Sequence, residues 1–318
     1  MRYLVLGPGA QGVFAILGHL KKHESELAEL EEVSGASAGG MLAFLMTSGK
    51  TLDQLVDLFL NTDTTHVSKM NLRLFFKSFG FTDTEYTRTT LIQHWGGDPT
   101  FAELPARPKL YVSAFCVTTG RTEYFSRDTH PDMRVAEAVA MSTAIPIMFA
   151  ARTYQGRLYV DGGLVEKYPG APFLHKLRSD VLAVTVTGSR TRGPIATFKD
   201  FLAALIESCV RSAQISHGFR EVALDTGDFT LCDMNMCLDD KLKLFLLGYQ
   251  QHGSMWSKDK YSGDESRSHD EAAHGSEQCV EQVQGGPVRR AESVLGHESS
   301  SAPDDQDDDS GVRRVHGD

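Results

Sequence analysis

What the sequence lacks excludes several classes of protein. Its five cysteines are odd in number and scattered, and Cys232 and Cys237 lack a second pair of ligands at metal-binding spacing, so we expect neither a disulfide framework nor a bound metal. No apolar run approaches the roughly 20 residues that span a bilayer. A basic start followed by an apolar segment is also missing, so no signal peptide is predicted. These absences favour a cytoplasmic protein.

Positive charge is also scarce. The chain has 32 Lys and Arg against 42 Asp and Glu, and its net charge of −10 excludes the basic footprint of a nucleic-acid-binding protein. Beyond residue 250, 15 acidic and 7 basic residues accompany Ser, Gly and His and few apolar residues. We therefore predict one domain over 1–252, for which a hydrophobic content of 41% is enough to form a core, and a disordered acidic tail over 253–318.

Strand and helix patterns alternate along the domain. An apolar strand at 3–6 precedes a helical series that predicts one helix over 13–32, while 110–118 and 121–125 are typical of a β-hairpin and 182–187 of a buried strand. Such alternation predicts a parallel sheet with helices packed on it. Loops at the carboxyl edge of the sheet would then carry the functional site.

A serine lies at the first sharp turn of this pattern. The pentapeptide Gly35-Ala36-Ser37-Ala38-Gly39 fits G-x-S-x-G between a short strand and an apolar helix. Its glycines permit a turn tight enough to lift the serine hydroxyl over the helix N-terminus, which makes Ser37 a candidate nucleophile. Since this pentapeptide is common by chance in a chain rich in Gly and Ser, it needs support from other segments.

Two other glycine-rich turns provide that support. The loop GPGAQG at 7–12 joins the first strand to the first helix, and free N–H groups at a helix N-terminus stabilise a phosphate or the oxyanion of acyl transfer. Further along, the strand 157–160 ends at Asp161-Gly162-Gly163, which places a carboxylate on a second sharp turn.

These three segments, in this order, resemble the signature segments of the patatin-like phospholipase family. AMSTAIPIMF at 140–149, TFAEL at 100–104 and LLGY at 246–249 are similar to further family segments, so the resemblance covers about residues 1–250. It implies a three-layer α/β/α domain with a mainly parallel central sheet and the activity of a lipid acyl hydrolase of phospholipase A type. No cofactor is implied. The implied partners are a lipid substrate and a peripheral membrane or lipid-droplet surface.

The resemblance also implies roles for individual residues. Ser37 would be the nucleophile and Asp161 its general base. The motif glycines of the two turns would be Gly35, Gly39, Gly162 and Gly163. The oxyanion loop would contain Gly7, Gly9, Ala10 and Gly12. Family loops often have a glycine and a basic residue where this chain has Pro8 and Gln11, and because proline has no N–H, Gly9 and Ala10 become the expected oxyanion donors.

Three alternatives remain open on the sequence. The departures in the loop favour a catalytically silent lipid-binding or regulatory protein. A serine–aspartate–histidine triad would need one of the histidines that follow Asp161, namely His175, His217 and His252. Finally, GPGAQG satisfies the dinucleotide fingerprint G-x-G-x-x-G, with Glu31 or Glu32 about 20 residues further on, which would suit an oxidoreductase. Those glutamates precede the second strand instead of ending it, which weakens this reading.

Residues 69–81 form a basic and aromatic segment. Large apolar residues recur there at helical spacing, namely Leu72, Phe75, Phe76 and Phe79. The cations Lys69, Arg73 and Lys77 lie on another side of the same predicted helix. A helix of this kind can lie in a lipid headgroup layer, so we predict peripheral membrane binding led by this segment, without the tail. An ordinary helix facing the core is the alternative.

Overall fold

The chain forms strands and helices in alternation. A computed structural model describes residues 1–65, 71–187, 195–212, 217–229 and 232–251, so the predicted acidic tail lies outside the described residues. The strands are β1 (Tyr3–Leu6), β2 (Glu32–Ala36), β3 (Gly80–Thr82), β4 (Lys109–Cys116), β5 (Arg121–Ser126), β6 (Ile147–Phe149), β7 (Arg152–Tyr154), β8 (Arg157–Asp161), β9 (Val181–Thr187) and β10 (Arg220–Asp225). The helices are α1 (Val13–Lys22), α2 (Ala38–Met46), α3 (Leu52–Asn61), α4 (Leu72–Ser78), α5 (Glu85–Trp95), α6 (Val135–Ser142), α7 (Phe198–Ser212) and α8 (Leu238–Gln250).

Within the described residues, eight strands form one sheet in the order β10-β9-β1-β2-β4-β8-β7, with β5 along β4. The run from β10 to β4 is parallel throughout, whereas β5 and β8 are antiparallel to β4. The inner strands β1 and β9 are almost wholly apolar, as expected of parallel strands covered on both faces. The predicted α/β class with a mainly parallel sheet is confirmed.

The two faces of the sheet are covered differently. Side chains alternate along β1, so Leu4 and Leu6 join the larger core with α1 and α2, whereas Tyr3 and Val5 point to the other face. That second face packs against Tyr168, Phe173 and Phe219. Among the described residues it is therefore covered by a segment with a short 3-10 turn at Ala171–Phe173, and the helices lie mainly on the first face.

Helix α1 is shorter than the sequence predicts. The expected single helix over 13–32 is wrong, because α1 ends at Lys22 and a 3-10 turn follows at Glu24–Leu27. The buried face of α1 stops at Leu20, and no residue of the following turn is buried. Helix-forming residues that gain no packing do not extend a helix on propensity alone.

The basic and aromatic segment also folds differently from the prediction. The helix α4 begins at Leu72 and ends at Ser78, because Phe79 adopts a left-handed conformation with φ 63° and the chain then enters β3. Residues 69 and 70 lie outside the described part of the chain. No residue of α4 is fully buried, but Leu74 and Phe75 are half-buried and Phe75 stacks on the buried Phe81, so one side of α4 packs on the domain and the other is exposed. In the described residues, no helix has the length and apolar character needed to cross a bilayer.

Candidate active site

Ser37 makes the reversal between β2 and α2. Its backbone has φ 54° and ψ −128°, a conformation that non-glycine residues rarely adopt and that is typical of a strained nucleophile turn. The close return of α2 requires Gly35, because a Cβ there would lie 2.5 Å from the carbonyl oxygen of Gly39. The sequence therefore places the hydroxyl of Ser37 at a helix N-terminus, as predicted from the pentapeptide.

The register along β4 brings Asp161 to this turn. Ser113 of β4 pairs with Ala36, the last residue of β2, and the next residue, Ala114, pairs with Asp161, the last residue of β8. Since β2 is parallel and β8 antiparallel to β4, these two strands approach each other end to end. Ser37 and Asp161 therefore meet, although they are far apart in the sequence.

The carboxylate of Asp161 is buried at this junction. Removal from water raises the pKa of Asp161 to about 7, while the side chain of Ser37 and the N–H of Gly163 lower it. The N–H of Gly163 donates to Asp161 Oδ1 at 2.7 Å. The Ser37 side chain therefore lies within hydrogen-bonding reach of this carboxyl. A carboxyl with this pKa is matched to proton transfer at neutral pH.

The glycine-rich loop packs against both turns. A Cβ on Gly39 would lie 2.5 Å from the carbonyl oxygen of Gly7, and a Cβ on Gly163 would lie 2.2 Å from Pro8 Cβ. These contacts leave no room for a side chain at either glycine. The loop, the serine turn and the aspartate turn therefore form one compact cluster where the carboxyl ends of β1, β2 and β8 come together.

The N–H groups of this loop are not equally available. Gly7 donates to the carbonyl oxygen of Val184 at 2.8 Å, and Gly12 donates to that of Gly9 at 2.7 Å, so neither N–H is free to bind an oxyanion. Ala10 has φ 44°, a further strained position beside Ser37. Of the four loop residues named from the sequence, Gly9 and Ala10 thus remain the candidates for oxyanion donors.

A cavity of about 120 Å³ opens beside Ser37. Apolar side chains make up most of its wall, among them Val13, Phe14, Met41, Leu45, Phe59, Leu91, Ile145 and Phe149. Gln11 stands where family loops often have a basic residue, and it is buried in this wall, where its Nε2 donates to Thr64 Oγ1 at 3.4 Å. Apolar clefts with few polar groups are typical of sites that bind small apolar ligands.

The histidines named for a triad do not lie at this junction. His217 Nε2 is 3.6 Å from Glu166 Oε1, His175 is exposed, and His252 lies outside the described residues. Among the described residues, no histidine forms a hydrogen bond with Ser37 or Asp161. The geometry therefore supports the dyad and gives no support to a triad.

The dinucleotide alternative also lacks support from the geometry. Glu32 begins β2 and pairs in register with Tyr3 at the start of β1, whereas the GPGAQG loop follows the end of β1. Glu31 and Glu32 form ion pairs there with Arg2 and Lys176. A ribose-binding carboxylate would have to lie at the carboxyl edge of the sheet, beside the loop.

In the part of the chain described, no cluster of three or more His, Cys, Asp and Glu side chains is placed to hold a metal.

One segment that the sequence reasoning did not single out supports both members of the pair. At the end of α6, the hydroxyl oxygen of Ser142 accepts a hydrogen bond from the N–H of Ser37 at 2.8 Å. Two residues later, the carbonyl oxygen of Ala144 accepts one from the N–H of Asp161 at 2.9 Å. The only sequence hint was the resemblance of 140–149 to a family segment. Ser142 thus holds the strained turn and Ala144 holds the aspartate.

We expect Ser142→Ala to slow acylation of Ser37 by about tenfold, because the strained turn loses one buried hydrogen bond. Ser34→Ala is the matched control, since Ser34 is an equally buried serine of β2 whose hydroxyl donates to the carbonyl oxygen of Pro169. Melting temperatures should fall to a similar extent in both variants, whereas the rate of labelling by a fluorophosphonate should fall only in Ser142→Ala. Equal labelling rates would show that Ser142 does not position the nucleophile.

The sequence model of one protein family, described as Patatin-like phospholipase, matches residues 4–174. This match includes the serine turn, the aspartate turn and the glycine-rich loop, and it covers more than half of the chain. The chain belongs to the patatin-like phospholipase family. Family membership agrees with the resemblance read from the sequence.

Individual relatives are more distant. The chain is 25% identical over 234 residues to an uncharacterized protein of Acanthamoeba polyphaga mimivirus, covering 68% of this chain and 78% of that protein. It is 25% identical over 180 residues to a probable lipid hydrolase of Invertebrate iridescent virus 6, covering 52% of this chain and 61% of the viral protein. The crystal structure of VipD from Legionella pneumophila has the same fold, with a TM-score of 0.55, 17% identity and coverage of 80% of this chain and 66% of VipD.

Proposed function

We propose that this member of the patatin-like phospholipase family is a lipid acyl hydrolase of phospholipase A type. The observation that carries the proposal is that Ser37, which lines an apolar cavity, meets a buried Asp161 whose pKa is raised. The names of the family and of the viral probable lipid hydrolase support the same class of reaction. The substrate would be an ester-linked fatty acyl chain, presented by a membrane or lipid-droplet surface to which the protein binds peripherally.

The proposed reaction uses two steps. Asp161 accepts the proton of the Ser37 hydroxyl as the serine oxygen attacks the ester carbonyl, and it then gives that proton to the departing alcohol. The N–H groups of Gly9 and Ala10 stabilise the oxyanion, with the positive end of the α2 dipole beside them. In the second step Asp161 takes a proton from a water that attacks the acyl-serine carbonyl, and it returns this proton to Ser37 Oγ as the fatty acid leaves. No cofactor enters either step.

The cavity supplies a site for the acyl chain in this proposal. Its apolar wall begins at Ala38 and Met41, directly beside the nucleophile, and extends to Leu91 and Phe149. Transfer of a hydrocarbon chain from water into such a wall is favoured by about 0.8 kcal/mol per methylene. A charged or sugar-like acyl donor would gain nothing there, so the geometry favours a fatty acyl group.

Covalent labelling by a fluorophosphonate probe tests this proposal, with its rate measured from pH 5 to pH 9. We expect Ser37 to be labelled and Ser37→Ala to stay unlabelled. Because the pKa of Asp161 lies at about 7 and the base must be deprotonated, the labelling rate should rise with pH, reach half its maximum near pH 7 and level off about one pH unit higher. A folded protein that is never labelled would instead support the catalytically silent alternative, which rests on the absence of a backbone N–H at Pro8.

A further inference from the structure

Large apolar side chains are exposed side by side on α4 and at the start of α7. On α4 and its C-cap, Leu72, Phe76 and Phe79 are exposed, and the Phe76 ring is 81% exposed. On α7 and just before it, exposed side chains are Ile195, Phe198, Phe201 and Leu205. We call these seven residues the aromatic face. Soluble proteins rarely expose so many large apolar groups together unless the surface binds a partner.

A series of ring contacts shows that the two parts of the aromatic face are adjacent. The Phe76 ring lies 5.6 Å from the Phe75 ring, which stacks on Phe81 of β3 at 4.7 Å. Phe81 in turn meets Phe198 of α7 edge to face, with ring centroids 6.1 Å apart. The exposed Phe76 and Phe198 are therefore the two ends of one packed aromatic series, and α4 and α7 present their apolar side chains on the same surface.

Helix α7 and β3 pack behind part of the wall of the cavity beside Ser37. The inward side of α7 carries Leu202 and Ile206, which pack against Ile145 and Phe149. Ile145 and Phe149 also line the cavity. In addition, β3 pairs with β6, so Phe81 is held next to the strand that ends at Phe149. The aromatic face is thus separated from the cavity by about one layer of side chains.

Charge distinguishes the possible occupants of the aromatic face. Arg73 and Lys77 are exposed on α4 among its apolar side chains. The carboxylates of Asp83 and Asp200, in the segments that follow α4 and begin α7, accept hydrogen bonds from backbone N–H groups at 3.0 and 2.8 Å, respectively, and so are held against the chain. Exposed aromatic rings interspersed with cations suit a bilayer containing anionic lipid, where each cation near the surface contributes about 1 kcal/mol.

We propose that the aromatic face is the surface by which this protein docks on an anionic phospholipid bilayer. This inference rests on the proposed function for its substrate, and it adds α7 to the single segment at 69–81 that the sequence suggested. Docking through both helices brings acyl chains to the outside of the cavity wall. Hydrolysis of lipid in a bilayer then depends on the aromatic face, whereas hydrolysis of a small soluble ester does not.

Vesicle sedimentation tests the surface directly, using the full chain with Ser37→Ala so that lipid is not consumed. The vesicles contain phosphatidylcholine mixed with phosphatidylglycerol. Phe76→Ser and Phe201→Ser should each weaken binding by about tenfold, since each removes a ring that enters the interface. Leu177→Ser is the matched control, because Leu177 is 71% exposed and lies shortly before the start of β9, at the amino edge of the sheet. It should bind as well as the parent protein.

Charge and activity measurements separate the remaining outcomes. Arg73→Glu with Lys77→Glu should weaken binding at low salt, and the loss should shrink as salt rises. In the chain with Ser37 intact, all of these variants should hydrolyse a soluble short-chain ester at the parental rate. If Phe76→Ser and Phe201→Ser bind vesicles as well as the parent protein, the proposal that the aromatic face is the docking surface is wrong. If these variants instead convert a dimer to a monomer in sedimentation velocity and bind vesicles normally, the face is an interface between two copies. Absence of ester hydrolysis in the parent protein contradicts the proposed function alone.

Discussion

Asp161→Asn should slow acylation of Ser37 by about 10²–10⁴-fold, because it removes the proton acceptor while keeping the size of the side chain and the hydrogen bond from Gly163. The stability of the folded state should not fall in this variant. The pKa of Asp161 is raised from 3.8 to about 7, so the folded state favours the protonated carboxyl and loses stability as pH rises through this range. Asn carries no charge, so the variant should melt at the parental temperature near pH 4 and at an equal or higher temperature at pH 8.

Histidine variants provide the control for this prediction. His175→Asn, His217→Asn and His252→Asn, made singly, should cost far less than Asp161→Asn in the rate of fluorophosphonate labelling. If the labelling rate of one histidine variant falls as far as that of Asp161→Asn while its melting temperature is unchanged, the site is a triad in which Asp161 orients an imidazole. Continued hydrolysis of lipid by Ser37→Ala would contradict the dyad and the triad alike.

Adding a single methyl group at Gly39 should lower both the stability of the protein and the rate of acylation of Ser37. The Cβ of Gly39→Ala would lie 2.3 Å from the carbonyl oxygen of Leu6 and 2.5 Å from that of Gly7, both of which are backbone atoms. The helix α2 must therefore move away from the end of β1, which costs about 1–3 kcal/mol of stability. A shift of about 1 Å between nucleophile and oxyanion loop lowers the rate by roughly 100-fold. Labelling kinetics and thermal unfolding measure the two effects.

The next residue offers a matched control on the same helix. A Cβ on Gly40 would lie 3.4 Å from its nearest neighbours, the carbonyl oxygen of Gly35 and the hydroxyl of Ser142, which is an ordinary contact distance. Gly40→Ala should therefore leave the labelling rate near the parental value and raise stability slightly, since alanine favours a helix over glycine by about 1 kcal/mol. Parental labelling by Gly39→Ala, or equal losses in both variants, would show that close packing of α2 on the loop does not set the rate.

The local features of this protein are predictable because they depend on residues close together in the sequence. Three turns rich in small residues, each following an apolar strand, predict where the parallel sheet presents its loops. The hairpin of β4 and β5 and the buried strand β9 follow from the same kind of local pattern. Prediction fails at the ends of helices: α1 ends at Lys22 because its buried face ends there, and α4 ends at Ser78 because Phe79 adopts a left-handed conformation. The boundary at residue 252 and the acidic tail stay predictions.

The sequence by itself determined the α/β class, the strained serine turn and the identity of the two side chains proposed for catalysis. Only the tertiary structure decided that Ser37 and Asp161 meet, since this depends on adjacent pairings along β4 between strands that are distant in the chain. It also decided that burial raises the pKa of Asp161, that Gly7 and Gly12 use their N–H groups elsewhere, and that Ser142 holds the turn. Register, burial and hydrogen-bond partners arise from long-range packing, and a local pattern of residues does not specify them.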